Sequence, residues 1–269
     1  MKIRHAIDPI NQKEIVNAYV AFDHLGLEIG NADVLETMHK ALFPTRPLHL
    51  QVRAHCSDDA LFALMGAATT RALVLARRNR GVPARIFTQV DPNDKVRMDA
   101  LRTQGYVDND GLMRMTKDIG HGPLTAPLPK GCVAVADDLS DDMEDQFFIE
   151  RYNTIFSADV DVDWLNELKQ RPYFRRFLLV AQDGLAGELL TWADGNAGVV
   201  GAIQTPPHWR RKGVASYLLD LVAQYWADMG LTTAYFDIWL RLQNATRLAE
   251  ACGFQSGRLL KKYPGIDVG

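Results

Sequence analysis

The chain has 269 residues, 47% of them hydrophobic and 23% charged. That suits one large soluble domain or two ordinary ones, and the formal net charge of −3 speaks against a dedicated nucleic-acid binder. Cys56, Cys132 and Cys252 are odd in number and far apart, and read as free thiols in a reducing compartment, so the expected location is cytoplasmic. The N-terminus shows no apolar signal core, and no uninterrupted apolar run approaches the ~20 residues of a membrane span, so no membrane association is expected. The seven histidines form no H-E-x-x-H cluster, so no metal is expected.

Taken in order, residues 2–7 suit a short strand. The stretch 11–25 sets Ile15, Val16, Ala18, Tyr19 and Phe22 on what reads as a helix face. Asn31 is a candidate cap for a second helix through Ala41, which Pro44 and Pro47 would end. Residues 49–54 read as a strand, 58–80 as a long helix stopped by Gly81, and 85–90 as a strand. A turn at 91–94 leads into a helix at 95–103. Gly105-Tyr106 follows, and 112–115 reads as the last strand of this half. Residues 119–131 are rich in proline and glycine, with little periodicity, and 121–131 is the expected linker.

The second half opens with a strand at 132–136 and helices at 141–156 and 162–169. Three strands follow, 177–182, 187–193 and 199–204, separated by Asp-Gly turns that suit hairpins. Residues 233–239 read as a strand, 244–251 as a helix and 256–262 as a closing strand.

The halves repeat. Gly81-Val82 matches Gly230-Leu231 at an offset of 149, and Gly105-Tyr106 matches Gly253-Phe254 at 148, with a strand, turn and short helix between each pair.

The most informative stretch is 198–230. Pro206 and Pro207 cannot continue the strand before them. Arg210, Arg211 and Lys212 come next, then Gly213-Val214-Ala215. Apolar residues at Tyr217, Leu218, Leu221, Val222, Tyr225 and Trp226 then follow helical spacing. The first N–H groups of a helix lack intrahelical partners and sit at the positive end of its dipole. With small residues beside them, they suit a phosphate or pyrophosphate. A solvated basic turn before a surface helix is the alternative.

Arg210-x-x-Gly213-x-Ala215 after a strand, with Gly253-Phe254 about 40 residues later, resembles the acyl-CoA signature of the GNAT-type N-acetyltransferases. The resemblance implies an α/β (α+β) fold of two tandem GNAT-like domains, 1–120 and 132–269, each a mixed, mostly antiparallel sheet flanked by helices. The first copy is truncated. It also implies acetyl-CoA as co-substrate, with Arg210, Arg211, Lys212, Gly213, Val214, Ala215 and Ser216 around the pyrophosphate. Ile203, Gln204 and Thr205 would meet the thioester and pantetheine arm, and Asn244 the same arm unless it is a plain helix cap. The matching segment of the first half, 57–66, has Asp58 and Asp59 where the cations stand, so that copy is expected to be structural or acceptor-shaping.

The expected function is transfer of an acetyl group from acetyl-CoA to a primary amine of a small molecule or amino-acid-like acceptor, by direct attack. The alternatives are a non-catalytic acyl-CoA-binding or regulatory module and, more remotely, a nucleotide or nucleic-acid binder. An alkyl amine must lose a proton before it attacks, and Glu188 and Asp237 are the candidate bases on the neighbouring strands. The family's usual acid is a Tyr four residues before the Gly-Phe pair, and here that position is Ala249. Asp159, Asp161 and Asp163 could receive a cationic amine, or Asp161 or Asp163 could cap the helix that follows. A homodimer is left open.

Overall fold

A computed structural model describes residues 1–120, 122 and 124–269, and the chain divides into two compact units. Unit 1 gathers Met1–Leu112, Ile155–Ser157 and Leu259–Gly269. Unit 2 gathers Met113–Thr154 and Ala158–Arg258.

Unit 1 contains β1 (Lys2–Ile7), β2 (Glu14–Phe22), β3 (Glu28–Met38), β4 (Leu48–Cys56), α1 (Asp58–Arg78), β5 (Ala84–Phe87) and α2 (Lys95–Thr103). Its sheet has the order β1-β2-β3-β4-β5, completed by the C-terminal strand β13 (Gly265–Val268) beside β5. The two helices expected at 11–25 and 31–41 are instead β2 and β3, joined at Asp23–Gly26 into an antiparallel hairpin. On β2, Tyr19 and Ala21 turn toward the core while Ile15 and Val16 stay exposed, and Ala32 and Val34 alternate inward on β3. Isoleucine, valine and tyrosine favour the pleated answer.

Among the described helices, α1 is long and apolar enough by composition to cross a membrane. Its apolar face is spent on the sheet, with Ala60, Leu61, Leu64, Met65, Ala68, Ala72 and Leu75 buried.

Unit 2 is built on the sheet β12-β6-β11-β10-β9-β8-β7. In chain order its elements are β6 (Gly111–Asp118), β7 (Cys132–Asp137), α3 (Asp142–Phe156), α4 (Val162–Lys169), β8 (Arg175–Ala181), β9 (Gly184–Asp194), β10 (Ala197–Gln204), α5 (Val214–Asp228), β11 (Thr233–Trp239), α6 (Gln243–Ala251) and β12 (Gln255–Lys262). The main core lies between this sheet and α5 and α6. A smaller cluster, with Phe148, Leu165, Leu168 and Leu190, packs α3 and α4 on the other face.

The observed units depart from the expected boundaries of 1–120 and 132–269 at three places: residues 113–120 belong to unit 2, and Ile155–Ser157 and Leu259–Gly269 belong to unit 1. The strand read as the last of the first half, β6, lies between β12 and β11 in the second sheet. The C-terminal strand β13, which the pattern did not show, lies in the first. Strand membership follows pairing, and neither short segment carries a local signal of its partner. Of the expected linker 121–131, positions 121 and 123 lie outside the described residues. Within it, Asp220 on α5 accepts from the N–H groups of Thr125 (2.5 Å) and Ala126 (2.8 Å) and from the Thr125 hydroxyl (2.8 Å).

The internal repeat is exact in register. The parallel pair β4–β5 begins at Leu48↔Ala84 and the pair β10–β11 at Ala197↔Thr233, so both partners shift by 149 (48 to 197, 84 to 233).

Candidate functional site

The site is organised by one irregularity in β10. Parallel pairing with β11 runs from Ala197↔Thr233 to Val200↔Phe236 and stops. At the next residue the antiparallel register with β9 slips, between Val200 and Ala202. A bulge twists and bends its strand. From Gly201, β10 continues to Gln204 along β9 alone, while β11 continues to Trp239. The two parallel strands therefore part, and the backbone of residues 201–204 faces a wedge that an extended ligand can enter by strand addition. The bulge demands glycine for steric reasons: a Cβ on Gly201 would sit 2.0 Å from the Trp192 ring.

Past Gln204 the chain makes a single 3₁₀ turn, Pro207–Trp209, then an exposed loop over 210–213. Arg211 holds φ +64 and Gly213 φ +81. A non-glycine residue in this region costs about 1–2 kcal/mol. The guanidinium of Arg210 donates to the Thr205 carbonyl (3.2 Å), and the Lys212 ammonium stands 4.5 Å from the centre of the Trp209 ring. Gly213 caps α5 with no side-chain hydrogen bond, and the first helical bond runs from Tyr217 N–H to Gly213 O (2.9 Å). The N–H groups of residues 213–216 thus open the helix without a cap, at its positive end. Three buried polar atoms lack a partner nearby: Gln204 Nε2, Thr205 Oγ1 and Trp209 Nε1.

Two strand glycines set α5 close to the sheet. A Cβ on Gly187 would lie 2.3 Å from Val214, and one on Gly198 would lie 2.4 Å from the Trp226 ring. Trp226 is fully buried, and its indole N–H donates to Thr191 (2.8 Å), whose hydroxyl donates to the Val199 carbonyl (2.7 Å). The helix opening is thereby fixed beside the tip of β10. Isolated glycines inside strands are the sequence signal for such approaches.

The candidate residues divide by what the structure does with them. Arg210, Arg211, Lys212 and Gly213 are exposed on the loop. Val214 is buried, so only its backbone can meet a ligand. Ala215 and Ser216 are half-buried on the first turn, and Gln204 and Thr205 half-buried at the strand tip. Ile203 packs its side chain against the main core. Asn244 is exposed, and the helix cap is Leu242 rather than Asn244, because α6 starts one residue earlier than its spacing suggests.

Glu188 lies directly across from Gln204 in the β9–β10 register and is buried, 4% exposed. Strand alternation puts it on the face of Leu190, toward α3 and α4. Arg151 Nη2 donates to it at 2.6 Å. Burial lifts the Glu188 carboxyl above the usual carboxylate range, against the downward pull of Arg151. Asp237 sits on β11 just past the last parallel pair. Both its oxygens are held by Arg114 of β6, at 2.8 and 2.7 Å, and the Arg114 guanidinium stacks 3.7 Å from the centre of the Tyr235 ring. Tyr235 in turn donates to Asp194 (2.9 Å), and burial, reinforced by Asp194, pushes its phenol up to about 12. Neither Arg114 nor Arg151 is signalled by sequence patterning, because each comes from an element distant in the chain. Asp161 caps α4 through the Trp164 N–H (3.0 Å). Tyr217 and Tyr225 belong to the core, and Ala249 is fully buried within it. No cluster of metal-ligating side chains occurs among the described residues.

Residues 135–254, the span holding the wedge, the loop and α5, match the model of the Acetyltransferase (GNAT) family. Over that span the chain is similar to the GNAT acetyltransferases. Solved structures agree on the fold of the whole chain. A GCN5-related N-acetyltransferase from Sphaerobacter thermophilus aligns over 96% of this chain and 82% of its own, at 15% identity and TM-score 0.54. A probable N-acyltransferase from Enterococcus faecalis V583 aligns over 92% of this chain and 61% of its own, at 9% identity and TM-score 0.56. Among curated proteins no relative matches by sequence.

The GNAT pattern also shows what unit 1 lacks. Shifted by 149, α1 ends with α5 (78 to 227, against 228) but starts at 207, where unit 2 has its 3₁₀ turn. Helix replaces the whole cationic loop, with Asp58 and Asp59 in its first turn.

Proposed function

We propose that the GNAT domain transfers an acetyl group from acetyl-CoA to a primary amine of a small molecule or amino-acid-like acceptor. One observation carries this reading: the β10 bulge, the end of β10–β11 pairing and the uncapped opening of α5 coincide within one stretch of chain. A wedge for an extended arm therefore leads to a site for a diphosphate. In this reading the N–H groups of residues 213–216, with Arg210, Arg211 and Lys212, hold the pyrophosphate, while the pantetheine arm pairs along 203–205. A backbone N–H there would stabilise the thioester oxygen as charge develops, worth roughly 3–4 kcal/mol. The amine nitrogen attacks the carbonyl carbon, the C–S bond breaks and CoA leaves as thiolate. Glu188 and Asp237 remain the candidate bases: Glu188 has a raised affinity for a proton but is bound by Arg151, and Asp237 is held through both oxygens by Arg114.

Ala249 favours a second reading, an acyl-CoA-binding module without turnover, since no phenol stands at that position on α6 to protonate the thiolate. A thiol of pKa near ~8.5 is a tolerable leaving group without one. Thiol release from acetyl-CoA across an amine panel separates the two. The first reading expects acceptor-dependent release, lost together with CoA binding in Arg211→Glu/Gly213→Asp. CoA binding without turnover on any amine leaves only the second. An unaffected double variant removes the site itself.

A further inference from the structure

The margins of the two sheets are guarded unequally. Three of them carry charge within the strand: Lys2 and Arg4 on β1, Asp267 on β13 and Arg258 on β12. A charged margin resists pairing with a further strand. The fourth margin, β7, is different. Among the described residues it has a strand neighbour, β8, on one side only. Its pairing runs from Cys132↔Ala181 to Asp137↔Arg176 with no shift of register. It holds no proline, and no charge before Asp137. Strand alternation normally hides one face. Here Val133, Ala134, Val135 and Ala136 are all exposed, Val133 at 64% and Val135 at 42%. Val180, opposite Val133 on β8, extends the apolar patch.

The stretch around this strand reads alike in both directions. On either side of Ala134 stand Val133 and Val135, then Cys132 and Ala136. Farther out stand the exposed Lys130 and Asp138, of opposite charge. Arg175 approaches Asp138 only to 4.0 Å, too long for a hydrogen bond, and both are exposed. In an antiparallel pair, alternate residues turn their N–H and C=O groups to the same side. A strand therefore meets a copy of itself only in registers that oppose residues of like parity. Centring on Ala134 sets Val133 against the second copy's Val135, and Lys130 against the second copy's Asp138. Centring on Val135 sets Val133 against Asp137 instead, and centring on Val133 sets Lys130 against Ala136. Both of those registers lose the ion pairs.

We propose that β7 pairs antiparallel with β7 of a second copy of this chain, about a two-fold axis at Ala134. A second copy is the occupant because residues 130–138 complement themselves in charge and in apolar pattern. A two-fold contact of this kind closes at the dimer. Four valines then cluster across the axis on one face, and a Lys130–Asp138 pair stands at each end.

Sedimentation equilibrium of the full chain tests this. Wild type should dimerise below about 100 μM, as expected of a small interface. Val135→Lys brings two ammoniums to the axis and should leave a monomer with an unchanged melting temperature. Lys130→Asp and Asp138→Lys should each weaken the dimer about tenfold, and the double variant should restore it. On mild oxidation Ala134→Cys should cross-link to its copy, since opposed Cα atoms lie about 4.5–5.5 Å apart, within disulfide reach. Val133→Cys, whose copy stands diagonally across, should not. Should Val135→Lys fail to fold, the two cysteine variants decide alone. A wild type that stays monomeric up to ~100 μM overturns the proposal and leaves this margin to a different partner's strand. A dimer that survives Val135→Lys, or that cross-links through Val133→Cys and not through Ala134→Cys, overturns it by placing the contact elsewhere.

Discussion

Gly187→Ala adds one methyl group between β9 and the start of α5. That methyl would stand 2.3 Å from Val214 Cγ1 and 3.2 Å from Leu218 Cδ1. Carbon atoms rest at about 3.5–4.0 Å, so the helix opening must retreat by roughly 1.2 Å. Val214 has little freedom to yield, being β-branched in a helix and 1% exposed. Overpacking of this kind costs about 1–3 kcal/mol. Each kcal/mol lowers the melting temperature by roughly 2–4 °C in a chain of this size class. The displaced element opens the proposed pyrophosphate cradle, and a misplacement near 1 Å costs on the order of 10²-fold in turnover. Val214→Ala removes the colliding methyls at a cost of about 1.6 kcal/mol for two buried groups. The double variant should therefore be more stable than the sum of the singles, by more than about 1 kcal/mol. Thermal unfolding and CoA titration of all four proteins complete the cycle. Wild-type melting and CoA affinity in Gly187→Ala, or strictly additive effects, would refute the claim that this glycine sets the helix opening.

Glu188→Gln probes the buried carboxyl. Because burial raises its affinity for a proton, the folded state keeps a proton that the unfolded chain has lost. Its stabilising effect is full at low pH and fades as pH climbs from the ordinary glutamate value through the raised one. The glutamine variant should lack that decline, and parallel melting-temperature curves for the two proteins between about pH 4 and 7 would contradict this. Arg176→Met should cost about 3 kcal/mol in urea unfolding, because it leaves Asp137 and Glu144 without the buried guanidinium, 3% exposed, that binds both. A loss below ~1 kcal/mol would mean that the two carboxylates are sufficiently hydrated without it.

Much of the architecture was legible because its punctuation is chemical. The bounds of α2, α4 and β11 coincide with the expected 95–103, 162–169 and 233–239, where Asp, Gly and Pro mark the ends. The repeat, read from two glycine dipeptides at offsets of 149 and 148, agrees with the shift of 149 between the two parallel pairs. The stretch 11–41 failed because Ile15, Val16, Ala18, Tyr19 and Phe22 have helical spacing, although β-branched and aromatic residues suit a strand and here form one. Only pairing with neighbouring strands decides between them. At the site, the cationic loop was readable as a motif. The bulge at Gly201 was not, since the space that only glycine leaves there is set by Trp192 on a neighbouring strand. The commitments of Asp237 to Arg114 and of Glu188 to Arg151 were equally hidden, because they join residues 123 and 37 positions apart.

The crossed strands give the chain an unusual order of completion. The buried guanidinium of Arg85 binds the carbonyl of Tyr263, 178 positions downstream, beside the pairing of β5 with β13. A nascent chain that has emerged through α2 thus has a finished helix face but a sheet with one raw margin, exposed to whatever strand arrives first. Cutting the gene at the proline-rich segment would not yield two independent proteins. Each fragment would carry away a strip that the other needs, and the two would be expected to recover their folds only when mixed.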